Sequence, residues 1–465
     1  VQSQDQPAQN AFAKWHGFVL AYLMAKRGLM SSTVTKKSPI FYGWYIVAAS
    51  IFIAFVSVGA RQSFGVFVIP MSEEFGWSRA MISLAASLGF LVNGVTQPIL
   101  GGMFDRLGGR KVILTSLTII GVATVLLSLT FHFLFLVFIF GVVTSIALSG
   151  SSLSTTGALL SKWFQRRRAT VVGLNASGAS LGGLLLVPLA MYLLQATSWR
   201  VSWAVLGMMV IVLAVPLGLF FLRDDPAEMG LLPDGDSEVP NPSDNKKGFK
   251  EGLRGPLEVD RWQDSLRSLP IWQLSGAYFV CGATTSMLGV HFVPYAIGQG
   301  ISPTIAASAF GFMMFLNILG GTGAGILSDR FSRKNMLAAV YFLRGCAYML
   351  LLTIPGTASL WAFASVAGFS WIATVPLTTS LTADVYGLRK LGTISGLTFL
   401  AHQVGGAVST LMAGYLFDLT GSYSLPFAIA GGLLFPAALI SFTIQEKKFS
   451  QRYQTAPAPA VGSTD

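Results

Sequence analysis

Long apolar runs, each about the length of a bilayer crossing, alternate along the chain with short polar turns. A hydrocarbon core of ~30 Å needs a helix of ~20 largely apolar residues. Twelve runs meet that length, at 45–70, 79–104, 112–131, 133–160, 169–195, 201–222, 271–298, 304–328, 336–354, 360–383, 391–417 and 423–444. Six precede and six follow a polar stretch, 223–270, which mixes acids and bases with Pro233, Pro240, Pro242 and Pro256, as a flexible linker does. The predicted fold class is an all-α membrane protein of twelve transmembrane helices in two pseudo-symmetric six-helix bundles, 42–222 and 271–445. A polar segment, 1–41, and a tail, 446–465, flank them. The patch Phe18 to Met24 is too short to span, so the first segment is expected to be disordered or to lie on the surface, and Met30 is a candidate native start.

The halves share a register. Gly101, Asp105 and Arg106 of the turn Gly-Gly-Met-Phe-Asp-Arg-Leu-Gly-Gly-Arg-Lys111 return as Gly325, Asp329 and Arg330, an offset of 224. The same offset carries Gly65 to Gly289, Pro70 to Pro294 and Ser78 to Ser302, while Gly173, Gly182 and Gly183 fall on Gly396, Gly405 and Gly406 at 223. Matches kept in order over several places mark a duplicated half.

With 53% hydrophobic and 11% charged residues, a soluble globule is excluded. Lysines and arginines collect on one side, at Lys36, Lys37, Arg106, Arg110, Lys111, Lys162, Arg166 to Arg168, Arg330, Arg333, Lys334, Arg389, Lys390, Lys447 and Lys448. Both termini and the linker are therefore predicted cytoplasmic. That sorting, with contact to anionic lipid, accounts for the net charge of +11, so no nucleic acid partner is expected. The two cysteines, Cys281 and Cys346, lie inside predicted spans and suggest neither a disulfide framework nor a thiolate metal site. The linker holds no phosphate-cradling glycine loop and no paired catalytic carboxylate. Neither an enzyme nor an ATP-driven pump is indicated, and no metal or cofactor is expected.

Polar residues inside the spans carry the candidate chemistry. Arg61 lies sixteen residues beyond Tyr45, ~24 Å along the helix, where a charge is costly unless it faces a cavity or a partner. It either lines a path or anchors the helix. Asn93 and Gln97 in the second span read first as amides tying helices together. The fourth-span run Ser145, Ser149 to Gly157 suits close packing or a wet polar wall, and Gly178 and Gly182 form a small-xxx-small seam for another helix. In the second half stand His291, Asn317, Arg344, His402 and Gln403. Each histidine is either a satisfied core group or a proton carrier. No Asp or Glu occurs in the interior of any predicted span, so Arg61 and Arg344 lack an acidic partner there. An uncompensated cation in low dielectric attracts an anion, and a small organic anion is the expected substrate.

The motif Gly-xxx-Asp-Arg-x-Gly-x-Arg-Lys at 101–111, repeated at 325–334 with Ser332 for the later glycine, resembles the cytoplasmic motif of the major facilitator superfamily. That resemblance covers Tyr42 to Ile444. It implies a conformational gate at Gly101, Asp105, Arg106, Arg110, Lys111, Gly325, Asp329, Arg330 and Arg333, a cavity lined by the first, fourth, seventh and tenth spans, and alternating access. More narrowly, Trp163-Phe-Gln-Arg-Arg-Arg-Ala-Thr-Val-Val-Gly173 through Gly178 and Gly182, with Tyr42-Gly-Trp44, Phe75-Gly-Trp-Ser78 and the run Asp225 to Asp234, is similar to monocarboxylate transporters and their bacterial relatives, among them the oxalate/formate exchangers. Animal members carry a first-span lysine and an eighth-span Asp-xxx-Arg pair; here Gln62, beside Arg61, and Asn317 and Gly321 stand in those places.

These features predict substrate contacts at Arg61, Gln62, Asn93, Gln97, Asn175, Asn317 and His402, with His291 or His402 carrying a proton. The expected activity is secondary transport of a monocarboxylate with a coupled proton, by a monomer in a bacterial inner membrane. Proton-independent anion exchange, export of a drug-like compound and a membrane sensor are the alternatives.

Overall fold

The computed structural model describes residues 40–164, 167–235, 257, 259–354, 356–387 and 391–449. The N-terminal segment before Ile40, most of the linker and the tail beyond Phe449 lie outside the described residues. Gly43 onward clusters as one unit, to which everything below belongs.

Twelve long helices run through the described residues: α1 (Gly43–Phe75), α2 (Arg79–Leu107), α3 (Gly109–Leu127), α4 (Phe133–Trp163), α5 (Arg168–Ala196), α6 (Trp199–Phe221), α7 (Leu269–Gly298), α8 (Pro303–Arg330), α9 (Arg333–Thr353), α10 (Thr357–Tyr386), α11 (Leu391–Thr420) and α12 (Ser424–Thr443). Each matches a predicted apolar run to within a few residues. Turn chemistry is duplicated with the helices. Ser78 and Ser302 cap α2 and α8, accepting from Met81 N and Ile305 N. Gly76 and Gly300, 224 apart, supply the positive φ that lets α1 and α7 turn back sharply.

The apolar pattern does not reveal that three of the helices are broken. α1 is interrupted at Ser63, α4 at Ser151–Ser152 and α10 at Trp371–Ala373. At Ser63 the hydroxyl turns back to Gly59 O (3.0 Å) and reaches Leu186 O of α5 (3.3 Å). In α10, Pro376 has no N–H to return to the carbonyl of Ile372. The break in α4 follows a π-helical stretch, Val137–Thr144.

Glycine seams hold each half together. α1 lies on α5 so closely that a Cβ on Gly182 would stand 2.4 Å from Phe55 O and one on Gly178 2.3 Å from Ile51 O. α7 and α11 repeat this, with Gly405 against Phe279 O. Between the halves, α2 packs on α11, α5 on α8, and the outer part of α1 on α7.

The duplication extends to individual hydrogen bonds. Asn93 bonds Gln403 across the α2–α11 seam (2.7 Å), and its counterpart Asn317 bonds Ser180 across α8–α5 (3.0 Å). Asp418 caps the start of α2 through Arg79 N and Ala80 N (both 2.8 Å), and its counterpart Gln195 meets Thr304 at the start of α8 (3.2 Å). At the opposite end Asp224 accepts from Arg110 N while Arg110 Nη2 reaches Leu219 O. Glu446 accepts from Lys334 N while Lys334 Nζ reaches Phe442 O.

These bonds divide the molecule into a closed and an open end. The far end, bearing the Gly76 and Gly300 turns, is sealed by Asp418, by Gly65 against the Gly289 and Val290 carbonyls, and by His291. Toward the motif end, among the described residues, no hydrogen bond joins the halves beyond Asn93–Gln403 and Asn317–Ser180. No described atom outside its own helix stands within 4 Å of where a Cβ would sit on Gly101 of α2, Gly173 of α5, Gly323 of α8 or Gly396 of α11.

Candidate functional site

Arg61 occupies the turn of α1 just before the Ser63 break, half-buried and a little past the middle of the 33-residue helix. Its Nη1 donates to Ser145 Oγ of α4 (3.0 Å), and its guanidinium lies over the rings of Phe90 (5.1 Å) and Phe140 (5.5 Å). Cation–π contacts contribute ~0.5–2 kcal/mol each, and a hydrogen bond in a membrane protein averages ~0.6 kcal/mol. Together they offset much of the ~2.5–3.5 kcal/mol that an arginine costs at a helix centre. A guanidinium has five N–H donors, and among the described residues one of those of Arg61 has a protein acceptor.

Arg344 is the contrast. It is 1% exposed, and Nε reaches Ser370 Oγ, Nη1 reaches Cys281 Sγ and Thr284 Oγ1, and Nη2 reaches the carbonyls of Ser370 and Trp371. Those carbonyls are freed by the break in α10. Arg344 therefore repairs a helix end, with all its donors in use, while Arg61 keeps donors to offer.

The other sequence candidates separate in the same way. Asn175 donates to Thr156 Oγ1 (2.7 Å) and leaves Oδ1 buried without a partner; Gln97 donates to Ser152 Oγ (2.8 Å). Gln62 points Oε1, buried and without a partner, toward Gly183 of α5. Asn317 accepts from Ile372 N inside the α10 break (2.8 Å). His402 is half-buried in α11, its Nδ1 3.2 Å from Gln403 Oε1 and its ring 4.8 Å from that of Tyr278. The structure thus joins Arg61, Asn93 and His402 in one chain of polar contacts, through Ser145 and Gln403. His291 is elsewhere, fully buried in the far-end seal. Its Nε2 lies 3.0 Å from the Thr410 carbonyl and 3.2 Å from Ser83 Oγ, and its Nδ1 3.2 Å from Tyr423 Oη. Facing a carbonyl, Nε2 must carry the proton, so a neutral ring satisfies every partner.

Sequence reasoning did not name Tyr278, Phe90 or Phe140, and it named Gln403 without giving it a contact with the substrate. Gln403 was visible as a polar residue inside a span, but nothing in the sequence shows that α11 meets α2. Among the described residues no group of His, Cys, Asp and Glu could hold a metal ion.

Comparison with known proteins gives this geometry its setting. The Major Facilitator Superfamily profile matches residues 50–410, three-quarters or more of the chain. The chain belongs to the Major Facilitator Superfamily. It is therefore a membrane transporter and not an enzyme. Among members of known sequence it is 27% identical over 393 residues to an uncharacterized MFS-type transporter, YcxA, of Bacillus subtilis, covering 83% of this chain and 91% of that one. It is 24% identical to monocarboxylate transporter 12 of Rattus norvegicus (90% and 88% covered) and 28% identical to a probable sulfoacetate transporter, SauU, of Cupriavidus necator (84% and 91% covered). A bacterial homologue of the human lysosomal transporter Spinster, solved inward-facing and unoccupied, shares the superfamily fold with a TM-score of 0.67 at 17% identity, over 90% of this chain and 100% of that one.

The superfamily motif sits at the open end. Asp105, Arg106 and Lys111 are exposed and make no hydrogen bond or ion pair with described residues, while Arg110 is tied to Asp224 and Leu219. In the second copy, Arg333 pairs with Asp384 (2.6 Å). The side chains of Asp329 and Arg330, and the surroundings of Gly325, lie outside the described residues.

Proposed function

We propose that this transporter moves a small organic anion, a monocarboxylate with a coupled proton, with Arg61 holding the carboxylate. The observation that carries this reading is the state of Arg61: a cation a little past the middle of its helix, between the closed far end and the open motif end, with neutral partners and four donors left for a ligand. A carboxylate takes two of them in the planar, bidentate geometry that guanidinium favours. The names of the relatives agree, since monocarboxylates and sulfoacetate are small organic anions.

His402 is the proposed proton carrier in preference to His291. It is half-exposed on the polar chain that leads from Arg61, whereas His291 is committed to the seal. Gln62 and Gln97 supply further contacts. The open motif end is taken to face the cytoplasm, as its basic character favours, and Asp105, Arg106, Lys111, Asp329 and Arg330 to close it in the opposite state.

The test is uptake of labelled lactate, pyruvate, formate and oxalate into proteoliposomes, with and without an inward proton gradient, for wild type and Arg61→Gln. Gradient-driven uptake lost in the variant supports the reading. Arg61-dependent exchange that ignores the gradient replaces symport by antiport. Folded wild type that moves none of the four anions rejects the anion assignment.

A further inference from the structure

Asn93 and Asn317 stand 224 residues apart and do the same two things in their own halves. Each bonds a helix of its own half at or next to an interruption and each reaches across to the other half. Asn93 Nδ2 donates to Ser149 Oγ (2.8 Å) and to the Ser145 carbonyl (3.3 Å), just before α4 is interrupted, and its Oδ1 accepts from Gln403. Asn317 Oδ1 accepts from Ile372 N within the α10 interruption, and its Nδ2 donates to Ser180. Both are buried, at 7% and 2% exposure. Among the described residues these are the hydrogen bonds between halves that lie nearest the open end.

We propose that Asn93–Gln403 and Asn317–Ser180 are paired crossbars that couple the broken helices α4 and α10 to the rocking of the halves, and that Asn93 transmits the occupancy of Arg61 to its seam. The proposal rests on the reading of Arg61 as the anion site. Arg61 bonds the hydroxyl of Ser145, and Asn93 holds the carbonyl of the same residue. An anion that draws the guanidinium from Ser145 releases that residue, and the change reaches Gln403 through one side chain. Bonds midway between a sealed and an open end are displaced least when two rigid bodies rock, so the crossbars persist through the cycle while the Asp418 seal must break. In this proposal both asparagines, expected from the sequence to be substrate contacts, are positioning residues instead, because each is buried and held by protein partners at both its oxygen and its nitrogen.

The test separates binding from turnover. Binding of labelled lactate and pyruvate to purified protein, and their counterflow in proteoliposomes, are measured for wild type, Asn93→Ala, Gln403→Ala and the double variant. The expected result is a Kd within about threefold of wild type and counterflow at least about tenfold slower, with the double variant no worse than the worse single one, as members of one coupled pair behave. Should Asn93→Ala fold poorly, Gln403→Asn is used. It breaks the same bond with the same chemistry, and adding Asn93→Gln restores the span between the backbones and recovers counterflow. Unchanged counterflow in folded single variants overturns the proposal, as does a Kd that rises in step with the loss of rate, since that makes Asn93 a ligand contact. Wild type that binds neither acid, nor formate or oxalate, brings down the anion reading itself, and this is seen before any variant is made.

Discussion

Arg344 and Arg61 look alike in the sequence, two arginines in apolar runs with no acid nearby, and their surroundings assign them opposite work. Removing Arg344 leaves the Ser370 and Trp371 carbonyls buried without donors, at ~1–3 kcal/mol for each unsatisfied group. Arg344→Met is therefore expected to lower the melting temperature in detergent and the yield of monodisperse protein. Arg61→Gln is expected to leave melting unchanged while abolishing anion uptake, and Arg61→Lys to retain part of it, because an ammonium keeps the charge and loses the fork. Size-exclusion chromatography, melting curves and uptake on the same three variants decide the matter. A stable Arg344→Met that fails to transport would reverse the assignment. Arg61 was legible because a charge inside an apolar run is conspicuous. What its neighbours are was not, since Ser145, Phe90 and Phe140 meet it only through the packing of α1 beside α2 and α4, which lie directly against each other.

The helices themselves were readable almost to their ends, because bilayer thickness imposes a minimum apolar length that few other structures need. Their interruptions were not. Pro98, Pro188 and Pro294 lie inside α2, α5 and α7, which run on unbroken, so Pro376 by itself gave no sign that α10 breaks. Seams between helices fall between these cases: the spacing of Gly178 and Gly182 announces a close approach without naming the partner, and the structure supplies α1. Gly182→Val is expected to prevent assembly, since its first side-chain carbon would meet the Phe55 carbonyl and the Gly59 backbone, neither of which can step aside. Gly173→Ala, with nothing within 4 Å, is expected to express, melt and transport as wild type does. Expression and melting of the pair check both statements.

The offset of 224 residues foretold more than a count of helices, because it pairs contacts as well as residues: knowing that Asn93 meets Gln403 is enough to expect Asn317 opposite Ser180. Beyond the sequence's reach was the state of the whole, sealed at one end and open at the other, which depends on contacts between halves. The seal on the α2–α11 seam is charged, with a carboxylate on two backbone N–H groups at a helix start, where anions are favoured. Asp418→Ala is expected to populate the state open at the far end. In a protein whose two native cysteines are replaced, a Ser83→Cys probe, buried at 0% exposure within that seal beside His291, should react several-fold faster with an impermeant thiol reagent applied from the far side when Asp418→Ala is added than in the same probe protein with Asp418 intact. An unchanged labelling rate would remove Asp418 from the gate.

Symmetry has set where the two outer clasps lie and left their strength free. One is ionic, at Asp418; the other is a neutral contact, Gln195 to Thr304. A mouth fastened unequally at its two corners does not lift like a lid. It is expected to part first at the weaker corner, between α5 and α8, so that a solute arriving from that side would first meet a wedge-shaped slit bordered by those two helices, with the corner that Asp418 holds the last to yield.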